Sequence, residues 1–208
     1  MAKTLDEYAK EWQGDAEADA LWVILTDSRY YGGKWNVEDF FATGDEEIER
    51  VFRFMQSRSL RVNDGCFLDF GCGVGRISKA LRKRFQRGFG VDISPKTVDL
   101  ARSYVKGVDF MVNQCDSLPQ FPDDSVDFIY SHIVLQHIPN DYQKRYLDEF
   151  LRIVRPGGLA VFSNPDRFPQ STGEQAAFCY QGQTGNKTEI SLSGRNEEMV
   201  NSAQTTPS

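Results

Sequence analysis

Leu68-Asp69-Phe70-Gly71-Cys72-Gly73-Val74-Gly75-Arg76 is the stretch on which the fold turns. It begins inside Cys66-Phe67-Leu68-Asp69-Phe70, a short apolar run of buried-strand type, and leads into a helical pattern through Ile77, Ala80, Leu81 and Phe85. Strand, glycine turn and helix in that order make the first βα turn of a doubly wound sheet, where ligands sit at the carboxyl ends of the strands. Glycines there permit positive φ and close approach of the backbone to a ligand, and the amides at the helix start attract its anionic or hydrogen-bond-accepting parts. Spacing narrows the ligand. The dinucleotide fingerprint G-x-G-x-x-G would put its third glycine at position 76, which is Arg76, and the phosphate loop G-x-x-x-x-G-K-[ST] is absent. What stands here is an acid two residues before G-x-G-x-G.

Downstream, the same alternation continues. Phe89-Gly90-Val91-Asp92 reads as a second strand, and Ser94-Pro95 opens a helix with serine as N-cap and proline at the first helical position. Phe110-Met111-Val112 and Val126-Asp127-Phe128-Ile129-Tyr130 are further strands. Pro139 starts a helix whose apolar positions include Tyr142, Tyr146, Phe150 and Val154, and the turn Pro156-Gly157-Gly158 leads into the strand Leu159-Ala160-Val161-Phe162. Strands alternating with helices imply parallel βαβ units with right-handed crossovers, so the expected class is α/β, a doubly wound, mostly parallel sheet with helices on both faces. This core spans residues 63–168.

Residues 1–62 read as an N-terminal helical cap or lid. One helix runs through Leu5, Tyr8 and Trp12, a polar, glycine-containing loop covers Thr26 to Trp35, and a second helix is expected after Gly44, with Asp45, Glu46 and Glu47 in its first turn. Residues 169–208 differ in character: 22 of these 40 are Ser, Thr, Gln, Asn or Gly, a composition that buries little apolar surface. Phe178-Cys179-Tyr180 and Ile190-Ser191-Leu192 are candidates for a short hairpin, and the last 15 or so residues for a mobile tail.

The chain of 208 residues is 40% apolar and 26% charged, the usage of soluble globular domains. No apolar run approaches the roughly 18–20 residues that span a bilayer, and Met1 to Tyr8 lack the apolar stretch of a secretory signal. Cys66, Cys72, Cys115 and Cys179 lie far apart with no C-x-x-C pair, so they read as reduced thiols, with no metal site, and the expected location is cytoplasmic. A net charge of −6 argues against a partner whose phosphates must be neutralised and for a small molecule. The basic cluster Arg76, Lys79, Arg82, Lys83, Arg84 and Arg87 runs toward the C-terminal end of its helix and reads as a solvated face.

Two further acids fall at the height of the glycine loop. Asp92 ends the second strand, where a carboxylate can accept both hydroxyls of a ribose. Asp116 follows the third strand, where it can accept from an exocyclic adenine amine. The result is an adenosine-shaped site without a phosphate grip.

On these residues the chain resembles the class I S-adenosylmethionine-dependent methyltransferases of the small-molecule type. The resemblance rests on Leu68–Gly75, on Gly90-Val91-Asp92-Ile93-Ser94, on Cys115-Asp116-Ser117-Leu118-Pro119 with Asp127-Phe128-Ile129-Tyr130-Ser131, and on Leu151-Arg152-Ile153-Val154-Arg155-Pro156-Gly157-Gly158. It covers roughly residues 63–165. It implies a Rossmann-like fold and S-adenosyl-L-methionine as cofactor, with S-adenosyl-L-homocysteine as product. By the same resemblance Asp69 and the backbone of Gly71, Cys72 and Gly73 hold the methionyl part, Asp92 takes the ribose hydroxyls, and Ile93 packs on adenine. Asp116 meets the adenine amine with Ser117 beside it, and Ser131 faces the cofactor near the reactive methyl. The family sheet has seven strands. Five are read here, and the remaining two are either the Phe178–Leu192 hairpin or missing.

Methyl transfer is an in-line displacement at an already activated carbon, so alignment and a dry cavity are the main requirements, with a base only where the acceptor must lose a proton. His132 and His137, the only histidines, follow the fourth strand and are the candidate bases, although histidines at helix ends also serve as caps or packing residues. The aromatics Tyr8, Trp12, Trp22, Tyr30, Tyr31 and Trp35 form either a lid over the acceptor or ordinary packing. The rival readings are a non-catalytic cofactor-binding or scaffold protein and, further off, an NAD(P)-dependent oxidoreductase.

Overall fold

The computed structural model describes residues 4–165, 175–181 and 188–192. Its elements in chain order are α1 (Leu5–Ile24), α2 (Val37–Ser57), β1 (Cys66–Phe70), α3 (Arg76–Leu81), β2 (Arg87–Asp92), α4 (Pro95–Tyr104), β3 (Asp109–Val112), β4 (Val126–Ser131), α5 (Asn140–Ile153), β5 (Val154–Pro165), β6 (Gln175–Gln181) and β7 (Thr188–Leu192). One sheet takes the order β3-β2-β1-β4-β5-β6-β7. The first five strands are parallel, as the alternating sequence pattern requires, while β6 pairs antiparallel with β5 and β7 antiparallel with β6.

The order reverses between β1 and β4, which start the two halves of the sheet. Their carboxyl ends therefore open a crevice at the switch point. Every residue of β1 and β4 is buried, the signature of strands covered on both faces. On one face Leu68, Phe70 and Ile129 pack with Tyr146, Phe150 and Ile153 of α5. On the other Phe67, Phe128 and Tyr130 pack with Ile48 and Met55 of α2 and with Leu81 and Phe85. A third cluster joins Phe40 and Phe41 to Val98, Ala101 and Phe110, with Ile24 and Trp35 packed against it.

The hairpin residues pair in register, Phe178 with Ser191, Cys179 with Ile190 and Tyr180 with Glu189. The expected mobile tail lies outside the described residues. Two local expectations change. The second helix of the cap begins at Val37, well before Gly44, because the Asn36 side chain accepts from the Asp39 amide and caps it there. Gly44 lies inside the helix, where α3 crosses: a Cβ at that position would stand 2.5 Å from the Arg76 carbonyl oxygen. The Pro156-Gly157-Gly158 turn is absorbed into β5 as an irregularity. Pairing jumps from Val126 with Val154 to Phe128 with Leu159.

Helix α1 starts with a capping box, Thr4 accepting from the Glu7 amide while the Glu7 carboxylate accepts from the Thr4 amide. Its path breaks at Asp19 (φ −161°, ψ 86°), whose carboxylate then accepts from the Trp22 amide and from the amides of Gly32 and Gly33. That carboxylate fixes both the bend and the following loop. Gln13 crosses to the sheet, its carbonyl oxygen accepting from Ser94 Oγ and the Lys96 amide at 3.1 Å each. The expected N-cap of α4 is present, Ser94 with Pro95 at the first turn.

Candidate active site

The carboxyl ends of β1, β2 and β4 and the inner side of α1 enclose a cavity with about 1250 Å³ of space, counting its open mouth. That is room for a ligand of cofactor size. Asp69, Gly71, Cys72 and Gly73 line it from the β1 turn, Asp92 and Ile93 from the end of β2, and His132 and His137 from the loop after β4. Tyr8 and Trp12 of α1 close it from above.

The glycine loop fits a close-lying ligand. Gly71 (φ 74°) and Gly73 (φ 51°) hold left-handed backbone, and a Cβ on Gly71 would stand 2.3 Å from a Val134 methyl. The Gly71 and Cys72 amides bond the Val91 carbonyl, and the Gly73 amide donates to Asp92 Oδ2 at 2.8 Å. Asp92 Oδ1 accepts from the Ser94 amide and Thr97 Oγ1. Burial raises the pKa of Asp92 against the pull of these hydrogen bonds. Asp69 is buried with Oδ2 accepting from Ser78 Oγ, and burial pushes its pKa up to about 7, opposed by Ser78 and the Arg76 charge. A buried carboxyl whose pKa is raised by desolvation beside a cavity is a candidate binding group for a cation. The structure thus brings Asp69, the glycine cradle and Asp92 to one place in a form that fits an adenosyl cation with a methionyl tail.

Three expected residues are not brought there. Asp116 stands outside the lining in an ion pair with Arg145 of α5, and Ser117 sits beside it, also off the cavity. The lining residue after β3 is Asn113, buried, its amide donating to the Cys115 carbonyl. Ser131 is fully buried, with no hydrogen-bond partner for its hydroxyl among the described residues, and does not line the cavity. The cavity wall begins one residue later, at His132, and the next residue, Ile133, adopts φ +59°, a strained conformation for a β-branched residue, with its amide donating to Ser163 Oγ. Asp127 lies near the start of β4, at the end of the strands opposite the cavity, accepting from the Cys66 amide and Arg155.

A charged cluster under the cavity escapes the sequence pattern. Arg76, read as part of a solvated face, is 5% exposed and lines the cavity, and its Nη2 donates to Glu47 Oε2 at 2.7 Å. Glu47 also accepts from the Tyr130 hydroxyl at 2.7 Å, and His132 Nδ1 lies 2.7 Å from Glu47 Oε1. His137 meets the Gln136 amide at 3.0 Å and the edge of Trp12 at 5.3 Å, and partial burial lowers its pKa. The signal available in the sequence was Arg76 itself, immediately after the third glycine.

Among the described residues no helix is long and apolar enough to cross a membrane, and no cluster of His, Cys, Asp and Glu could hold a metal ion. The fold and this crevice define a doubly wound domain with a cavity at its switch point. Residues 68–162 match the methyltransferase domain family. The chain is 33% identical over 96 residues to a malonyl-[acyl-carrier protein] O-methyltransferase of Yersinia pestis (46% of this chain, 35% of that protein). It is 32% identical over 106 residues to a probable S-adenosylmethionine-dependent methyltransferase of Mycolicibacterium smegmatis (51% of this chain, 40% of that protein). It thus spans well under half the length of these curated relatives. In fold it is similar to Haemonchus contortus phosphoethanolamine N-methyltransferase 1, solved with phosphoethanolamine and S-adenosylhomocysteine, at TM-score 0.60 and 14% identity over 79% of this chain and 33% of that one. Over residues 68–162, a little under half of its length, the chain thus matches a methyltransferase domain, and one of the relatives it matches is named as S-adenosylmethionine-dependent.

Proposed function

We propose that the chain transfers a methyl group from S-adenosyl-L-methionine to an O, N or C atom of a small-molecule acceptor by in-line displacement. The observation that carries this is the convergence of Asp69, the Gly71–Gly73 cradle and Asp92 on one cavity that also holds two histidines. When bound, the cofactor supplies a methyl group already activated by the sulfonium charge. Asp69 balances the positive methionyl end, and Asp92 accepts from a ribose hydroxyl, for which a carboxylate with about four acceptor sites has one left beyond the three bonds named above. Ile93 and the apolar wall pack on the adenine, with the Asn113 side chain as the polar neighbour in place of Asp116. Tyr8 and Trp12 exclude water and align the acceptor. The acidic balance of the chain, −6 overall, favours a small molecule over nucleic acid, and a cytoplasmic setting suits the reduced thiols.

Calorimetric titration with S-adenosylmethionine, S-adenosylhomocysteine and NADH in parallel tests the reading. Micromolar binding of both adenosyl ligands with none of NADH is the expected outcome. A folded sample that binds neither adenosyl ligand overturns it.

A further inference from the structure

We propose that Glu47 and His132 form a base dyad that takes the proton of a hydroxyl acceptor carried on a largely apolar body, an inference resting on the methyl-transfer reading above. His132 Nδ1 lies 2.7 Å from Glu47 Oε1, and His132 lines the cavity with Asp69 and Gly71. Glu47 is 8% exposed and anchored from two further sides, by Arg76 of α3 and the Tyr130 hydroxyl of β4, and it acts electrostatically on Asp69 of β1. Burial opposes its ionisation, but the hydrogen bond to His132, the Arg76 charge and the Tyr130 hydroxyl outweigh that and hold its pKa at about 2. A carboxylate has no proton to give, so a contact of 2.7 Å with it favours the ring hydrogen on Nδ1 and leaves Nε2 as the basic nitrogen. An imidazole oriented by a buried carboxylate is the arrangement that generates a strong base in hydrolytic triads.

The dyad points to the acceptor class. A neutral amine already presents its lone pair, whereas an alcohol or phenol must give up a proton as it attacks. The new O–C bond forms as the C–S bond breaks toward sulfur, and the acceptor proton passes to Nε2. The positive charge that sulfur gives up thus reappears on an imidazolium facing the Glu47 carboxylate. His137 has no such support, since it leans on the Gln136 amide and Trp12. Tyr8, Trp12, Val134 and Ile138 supply an apolar wall for the rest of the acceptor.

With two histidines in the chain, ¹⁵N NMR reads each ring directly. The unmodified protein is expected to hold His132 as the Nδ1–H tautomer at pH 8 without any acceptor, and Glu47→Gln to lose that preference while His137 is unmoved. With labelled S-adenosylmethionine and a matched catechol and aniline pair as probes, methylation of the catechol is expected to fall by about 100-fold or more in His132→Gln. Affinity for S-adenosylhomocysteine stays within about threefold, so the loss is not one of fold or cofactor site. An Nε2–H tautomer in the unmodified protein, methylation of the aniline alone, or full catechol activity in His132→Gln overturns the dyad. Should Glu47→Gln fail to fold, the tautomer of the unmodified protein and His132→Gln decide the matter. Failure of the unmodified protein to bind S-adenosylhomocysteine instead overturns the methyl-transfer reading, and the dyad with it.

Discussion

Asp92 Oδ2 accepts a hydrogen bond from the Gly73 amide at 2.8 Å, so the acid ending β2 holds the glycine loop that follows β1. One carboxylate therefore shapes the cradle and lines the cavity, where the proposed reading puts the ribose. Its other oxygen is committed to the Ser94 amide and Thr97 Oγ1, which start α4. Asp92→Ala is expected to weaken S-adenosylmethionine binding by about 1.5–3 kcal/mol, the scale of hydrogen bonds to a charged group. Calorimetry reads the change, and unaltered affinity would remove Asp92 from the ribose site.

Asp69 gives the cofactor site a pH dependence. Burial raises its pKa from 3.8 to about 7 in the folded chain. The sign for stability follows: the folded form binds this proton more tightly than the unfolded chain, so Asp69 lowers stability progressively as pH rises from about 4 to about 7. For binding the sign is opposite. A cation favours ionised Asp69, so affinity for S-adenosylmethionine is expected to fall as pH drops below about 7, approaching tenfold per unit, with proton release on binding below that point. Titrations in buffers of different ionisation enthalpy count the proton. Asp69→Asn should abolish this release while the histidine contributions persist, and a release that survives the substitution assigns the proton elsewhere.

Arg76 and Lys83 look alike in the sequence, two cations of one basic stretch, and the structure separates them, Arg76 opening α3 and Lys83 standing in the turn after it. The Arg76–Glu47 pair has side chains 6% and 10% exposed, whereas the Lys83–Asp45 pair is 58% and 40% exposed. Arg76→Leu leaves Glu47 buried without its cation and is expected to cost about 3–5 kcal/mol of unfolding free energy. Lys83→Ala should stay within about 1 kcal/mol. Urea denaturation of the two variants checks the contrast, and equal losses would refute the burial argument.

The same pair explains what the sequence could convey. The order of strands and helices, the glycine turn and the β2 acid were legible because each is local: a strand run, a helix cap or a turn residue within a few positions of its neighbour. The position of Glu47 under Arg76 is not local. It depends on Gly44 letting α2 approach the Arg76 backbone, a contact between residues 32 positions apart in sequence, and on Asn36 starting that helix early. The place of Asp116 off the cavity is equally non-local, because it pairs with Arg145 on α5, and no periodicity reports which helix will pass by. Ser131 ends β4 as expected, yet the turn at Ile133 hands the cavity wall to His132.

Gly71 and Val134 allow the cradle to be probed by a pair of substitutions. In Gly71→Ala the new methyl would meet the Val134 methyl carbons at 2.3 and 2.6 Å and would also force alanine into φ 74°. The two costs are separable. Val134→Ala removes both methyl carbons, leaving an approach of 3.0 Å to Cβ that a small shift relieves, but it leaves the left-handed backbone in place. The double variant is therefore expected to recover most of the affinity for S-adenosylhomocysteine lost in Gly71→Ala, short by the roughly 1–2 kcal/mol that a non-glycine residue spends in the left-handed region. A double-mutant cycle on binding and on urea stability measures the coupling, which should be favourable and on the order of 1 kcal/mol or more. Strict additivity would mean that Val134 does not pack over Gly71, and that the loop after β4 stands away from the cradle.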